Sequence, residues 1–265
     1  MTTVLDPTPP SVLDVLRGVR STRPPLDRTS AAGLRAMIED GIYAIMRDER
    51  PTSPLVVRAS ALRQPWSTTN VAASPLGRLR GVLVNQLLRL LSVGARVDDP
   101  YGDAVRVWRS DRDDDPLTDD VAQLDEQDRA RLATEVRAHY ETLTNSLGVV
   151  SSLWLPRSAV RASQSLAGGA VVLRDVVDLM IGTTYDETSS VALLDITTSP
   201  LTESDDRVTG FHALVHTLRT TSTPLRTSML STATGDLRSR DVDFALLSQC
   251  IDDVLAAICD QWVSR

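Results

Sequence analysis

Apolar residues along this chain recur first at helical spacing, then in strand-like runs, then in an alternation of the two. Leu34, Met37, Ile38, Ile42 and Ile45 keep one helix face behind Thr29 or Ser30 as N-cap, and Leu55 to Ser60 is a candidate short strand. Pro75 opens a strongly apolar helix through Leu79, Leu83, Leu87 and Leu91, a row that reads as core. Residues 97–116 are rich in Asp, Arg and Pro and predict a solvated connection. Thr118 to Leu147 predicts a long charged helix with Val121, Leu124, Leu132 and Val136 inward and its acids weighted to the front half.

After residue 150 the period changes to that of strands. Ala159–Leu166 and Ala170–Ile181 flank Ala167-Gly-Gly169, a hairpin signal, and after a connection over 182–190 a third strand runs from Val191 to Thr198. Ser204, backed by Asp205 and Asp206, starts a helix through Val208, Phe211, Val215 and Leu218. Pro224 to Thr234 predicts a fourth strand closed by Thr234-Gly-Asp236, and Asp241 to Val263 a final helix. The order implies an α/β fold: a central mixed sheet of about four strands, flanked by helices and carrying a helical insertion over 112–147. Residues 1–28, rich in proline, predict a partly flexible arm with one short helix near Ser11 to Val19, and 29–265 a single domain.

Composition narrows the class. A net charge of -7 argues against a free-standing nucleic-acid binder, because non-specific affinity comes from neutralising phosphates. Two cysteines, Cys250 and Cys259, are too few for a disulfide framework, an iron–sulfur cluster or a four-cysteine metal site. With no apolar run of about 18 residues and no basic, apolar leader in the first ten residues, the chain reads as cytoplasmic with no membrane partner. All 28 basic residues are arginine.

Candidate chemistry gathers at two strand ends. Asp195 and Thr197 share one face of their strand, and Asp178 ends the apolar strand before it. Two carboxylates at the ends of neighbouring buried strands are the minimum for a hard divalent cation, although strand-end Asp residues also serve simply as turn formers. His212 and His216 stand at i, i+4, a zinc-compatible spacing that without a nearby third ligand reads as an exposed or partly buried pair. Asn85 is either a polar residue satisfied by backbone or a groove residue, and Arg219, Arg226, Arg238 and Arg240 are candidates for a phosphate-facing patch.

Over residues 80–235 the arrangement resembles the PD-(D/E)XK nuclease superfamily, particularly its RecB-like exonuclease branch. Gly81 to Asn85 resembles the helix motif in which a glycine precedes a metal-binding histidine by four residues. Asp175 to Asp178 is similar to the family's glycine-x-x-Asp strand, Asp195-Ile-Thr197 stands where the family has Asp-x-Lys, and Gly210 to Leu214 looks like the helix that usually brings a Gln or Tyr near the site. The resemblance implies a restriction-endonuclease-like core. It also implies Mg2+ or Mn2+ held by Asp178, Asp195, the Ile196 carbonyl and the position of Asn85, with DNA approached by arginines such as Arg174, Arg207, Arg219 and Arg226.

Here the lysine is Thr197, the histidine Asn85 and the glycine Asp175, and no lysine elsewhere in the chain can take the vacant role. Arginine is a poor proton acceptor. The resemblance therefore implies a catalytically degenerate nuclease fold of DNA metabolism or defence, acting as a DNA-associated or scaffolding subunit with a protein partner. An active Mg2+-dependent nuclease and a protein-interaction module without DNA binding are the competing readings.

Overall fold

The sheet is built around one long strand. In this computed structural model, which describes residues 11–18, 28–47, 49, 51–63, 74–111, 121–185 and 188–264, the apolar run Val171–Ile181 forms β3. β2 (Arg157–Leu166) pairs antiparallel with it from Arg157 opposite Met180 to Leu166 opposite Val171. The link is the expected Ala167–Gly169 turn, where Gly168 and Gly169 take left-handed φ values of 62° and 91° that a side chain would strain.

Since β2 fills one edge of β3, two further strands must share the other. β1 (Leu55–Arg58) runs parallel to β3 opposite Val171 to Arg174, and β6 (Ala192–Thr197) runs antiparallel opposite Leu179 to Ile181. Between β3 and β6 the expected plain connection holds a two-stranded ribbon, β4 (Thr184–Tyr185) with β5 (Thr188–Ser189). β7 (Arg226–Ser231) lies parallel to β6, and β8 (Leu237–Asp241) closes the sheet antiparallel to β7.

The mixed sheet thus has six strands rather than about four. β8 escaped the sequence pattern because Leu-Arg-Ser-Arg-Asp is charged, as edge strands commonly are, to discourage pairing with other chains.

Helices cover the sheet. α2 (Arg28–Met46), α7 (Ser204–Thr220) and α8 (Phe244–Val263) pack with β1 and the start of β3 around Ile38, Phe211 and Ile251, and the short α3 (Ala59–Leu62) follows β1 directly. α4 (Pro75–Ser92) begins with Pro75 in its first turn and the Ser74 hydroxyl accepting from the Gly77 N–H, and it is apolar on two sides. Val84 and Leu88 meet Leu179, Leu194 and Ile196 of the sheet, whereas Leu79, Leu83 and Leu87 meet a helical layer.

That layer departs from expectation. The supposed solvated connection contains α5 (Pro100–Asp111), in which Ala104 and Trp108, one turn apart, are fully buried while Arg106 and Arg109 are exposed. α6 (Glu126–Leu147) is the expected charged helix, capped by Asp125; residues 112–120 of the expected insertion lie outside the described residues.

The short helix of the expected arm, α1 (Val12–Arg17), is core: Leu13 and Leu16 are buried against α4, α6 and β6, and Arg17 stacks over Trp154 at 4.7 Å. The rest of that arm before residue 11 and over 19–27 lies outside the described residues. No helix among the described residues is long and apolar enough to cross a membrane.

Trp108→Ala is expected to lower stability by about 3–5 kcal/mol in urea unfolding, the cost of a cavity left by a buried aromatic. A change under about 0.5 kcal/mol, as for a solvated residue, would contradict the packing of α5.

Candidate functional site

The head-to-head arrival of β1 and β6 on one edge of β3 creates a gap. β1 ends opposite Arg174 and β6 leaves the ladder opposite Leu179, so residues 175–178 of β3 face no strand on that side. Unpaired backbone and the polar side chains beside it need partners here.

Asp178 and Asp195 flank the opening. Asp178 Oδ2 accepts from the Ile196 N–H at 2.9 Å, which gives that amide the acceptor its strand neighbour no longer provides. Its Oδ1 accepts from Asn85 Nδ2 at 3.1 Å, so α4 closes over the opening with the first polar residue past Val84. Burial, the Asp195 charge and a hydrogen bond between the two carboxyls push Asp178 well above the ordinary carboxylate range. Within the pair Asp178 is the carboxyl that protonates more readily and Asp195 the one that ionises more readily.

Asp195 stays ionised for a different reason. Burial would raise it, but the charge and nearness of His212, the hydrogen bond to Asp178 and Arg63 together lower it. His212 Nε2 lies 3.4 Å from Asp195 Oδ2, an ion-pair contact without aligned hydrogen-bond geometry, and its Nδ1 bonds Asp175 Oδ1 at 2.8 Å. Burial opposes the imidazolium, yet Asp175 and Asp195 outweigh it and hold His212 up to about 10. Arg63, just after α3, sits 3.8 Å from Asp195 and 3.6 Å from Asp205, and Asp205 in turn accepts from the Thr202 N–H and hydroxyl.

The structure therefore brings Asn85, Asp178, Asp195 and Ile196 to one place. Ile196 contributes its N–H there, while its side chain packs towards α4. Thr197, next on the Asp195 face, is turned to local structure: its hydroxyl accepts from the Ser199 N–H at 3.3 Å and its carbonyl from the N–H and hydroxyl of Thr232.

Of the histidine pair expected to be exposed or partly buried, His216 is partly buried and His212 fully buried. His212 is 2% exposed and bound by two acids, while burial, then Arg157 and Arg219, push His216 down to about 4 and keep it neutral.

The arginines expected to face nucleic acid are dispersed. Arg226 bonds Asp241 at 2.5 Å and the Val15 carbonyl, which ties α1 to the sheet. Arg207 faces Asp253 at 4.0 Å, in a cavity it shares with Glu203 and Asp206, and Arg238 is bonded to the Thr202 carbonyl and Asp206. Acidic surroundings make both poor phosphate ligands. Arg174 and Arg219 line one cavity together.

Arg63 and Asp205 were not foreseen at the site, and Asp175 and His212 were read in other roles, as the family's glycine position and as one of a histidine pair. The available signal was polarity inside apolar runs: Asp175 interrupts Val171–Ile181 and His212 interrupts Phe211–Val215, positions where an unpaired charge is rarely buried.

Asp178 and Asp195 are the acids a hard cation would take, with the Asn85 amide and Ile196 carbonyl as neutral additions. As arranged, they fit one poorly: His212 Nε2 lies 3.4 Å and Arg63 3.8 Å from Asp195, so a divalent ion there would meet two cationic side chains.

No family model and no curated protein matches the chain. Among solved structures it is similar to one titled "Crystal structure of SSO0001", at 8% identity over 84% of each chain with a TM-score of 0.33, a likeness too slight to carry an argument.

His212→Gln is expected to cost about 3–5 kcal/mol near neutral pH, because it leaves two acids without their buried counter-charge. With its folded pKa raised from 6.5 to about 10, His212 contributes stability that is fully present below pH 6.5 and lost as pH rises through about 10. The wild-type minus variant difference in urea unfolding should shrink over that window. A difference constant with pH would refute the imidazolium.

Proposed function

We propose that the chain is a PD-(D/E)XK nuclease-fold protein that no longer hydrolyses phosphodiesters and serves as a DNA-associated or scaffolding subunit. The observation that supports this reading is the charge compensation at the β3–β6 opening. Where a nuclease needs two free carboxylates for a cation and a lysine beside an attacking water, this chain has Asp178 pushed above the ordinary carboxylate range by burial and Asp195, His212 against Asp195, and Thr197 in the lysine position.

What the residues do instead is hold the fold. Asn85 and the Ile196 N–H fasten Asp178 between α4 and β6, and His212 fastens β3 and β6 to α7. In the resembled family the cation would be Mg2+ or Mn2+, and the competing reading is that such an ion binds Asp178 and Asp195 and the chain still cleaves DNA.

The full chain incubated with linear single- and double-stranded DNA and Mg2+ or Mn2+ is expected to give no product above that of Asp195→Ala. Cleavage that Asp195→Ala abolishes would overturn the proposal in favour of an active nuclease.

A further inference from the structure

A cavity of about 720 Å³ opens where β1, β2 and β3 lie side by side, next to the start of α3 and the end of α7. Arg58, Arg161, Arg174 and Arg219 all line it, together with the hydroxyl residues Ser60 and Ser163. Four cations in one hollow are unexpected in a chain of net charge -7. Their placement in the sheet makes the concentration sharper. Arg58 is the register partner of Arg174, and Arg174 is that of Ser163, so two like charges leave neighbouring strands side by side. Like charges directly across a ladder destabilise it unless an anion lies between them.

Among the described residues no anion does so. Arg58, Arg161 and Arg174 are exposed, and among the described residues their side chains form no ion pair or hydrogen bond. Arg219 donates from Nη1 to the Arg161 carbonyl at 3.0 Å, which aims it into the hollow and leaves its other N–H groups available. The acid of the lining, Asp175, is 1% exposed on its side chain and bonded to His212, so its charge is already compensated.

The remaining wall identifies the class of occupant. Ala59, Ala162 and Val176 give an apolar strip, and among the described residues no aromatic side chain lines the cavity. Guanidinium forks and serine hydroxyls match phosphate oxygens, and the volume falls in the range of about 300–1,000 Å³ common to small-molecule sites.

We propose that this cleft binds a phosphate-bearing ligand of nucleotide size through its phosphates, the phosphates belonging either to a free nucleotide or to the end of a nucleic-acid strand. In the second case the inference rests on the proposed association with DNA; in the first it stands on the cleft alone.

The test is fluorescence anisotropy at low salt on the full chain, with a 5′-phosphorylated, 3′-labelled oligothymidylate as one probe and a fluorescent adenosine triphosphate analogue as the other. At least one is expected to bind, with displacement by inorganic tripolyphosphate and none by thymidine. Arg58→Gln/Arg174→Gln is expected to weaken binding roughly tenfold or more. For the oligonucleotide it should also flatten the dependence of log K on log salt by about 0.7 per arginine.

Arg161→Gln, on a separate strand, should weaken binding in the same direction should the double variant fail to fold by circular dichroism. Arg137→Gln, an exposed arginine on α6, should bind as wild type. Binding of the triphosphate without the oligonucleotide assigns the site to free nucleotides, and the converse assigns it to strand ends; either supports the cleft. Failure of both probes, or binding that neither cleft variant weakens, overturns it. Asp195-dependent cleavage of DNA would overturn the loss of hydrolysis while leaving the arginine result intact, so the two failures are distinguishable.

Discussion

A protonated histidine enclosed by two aspartates is the interaction on which the centre of this fold depends. His212 joins Asp175 of β3 to Asp195 of β6 from the middle of α7, so three elements distant in sequence are tied through one imidazole. Any of the three charges alone would be too costly to bury; together, with Arg63 at the rim, they become tolerable. The arrangement is possible only because β1 and β6 stop short of each other on one edge of β3. A continuous strand there would leave no room for side chains in the plane of the sheet.

The same opening explains why the acid pair behaves as it does. Asp178 replaces a missing ladder acceptor for the Ile196 amide and is held from above by Asn85, so its role is partly that of backbone. Asp195 is left to meet the cations. In a chain whose basic residues are all arginine, positive charge beside a buried acid comes from a long, planar group that stays near solvent, as Arg63 does, or from histidine. Asp175 then has two neighbourhoods: its carboxylate faces His212, and its backbone borders the arginine-lined cleft. The acidic network and the basic hollow are two sides of one stretch of β3.

Much of this was legible from residue order because it depends on short-range periodicity. The β2–β3 hairpin, β6, α4, α6 and α8 follow from apolar spacing, glycine at the turn and Pro75 at the start of α4. Asp178, Asp195 and Asn85 stood out as polar residues within or at the margins of apolar patterns. Elements whose apolar content is low were lost: α5 buries only Ala104 and Trp108 on its inward face, and β8 is an edge strand of alternating charge. α1 looked like part of an arm because six residues cannot declare their packing partner.

The sequence by itself determined the α/β class, the strand that carries the acids, and the absence of any lysine to accompany them. Only the tertiary structure decided how those acids are charged. That outcome rests on distances between Asp175, Asp178, Asp195 and His212, residues up to 37 positions apart, and the energy of a buried charge is set by its partners within a few ångströms rather than by its neighbours in sequence. The same holds for the cleft: Arg58, Arg161, Arg174 and Arg219 share no motif, and strand register alone makes them one surface.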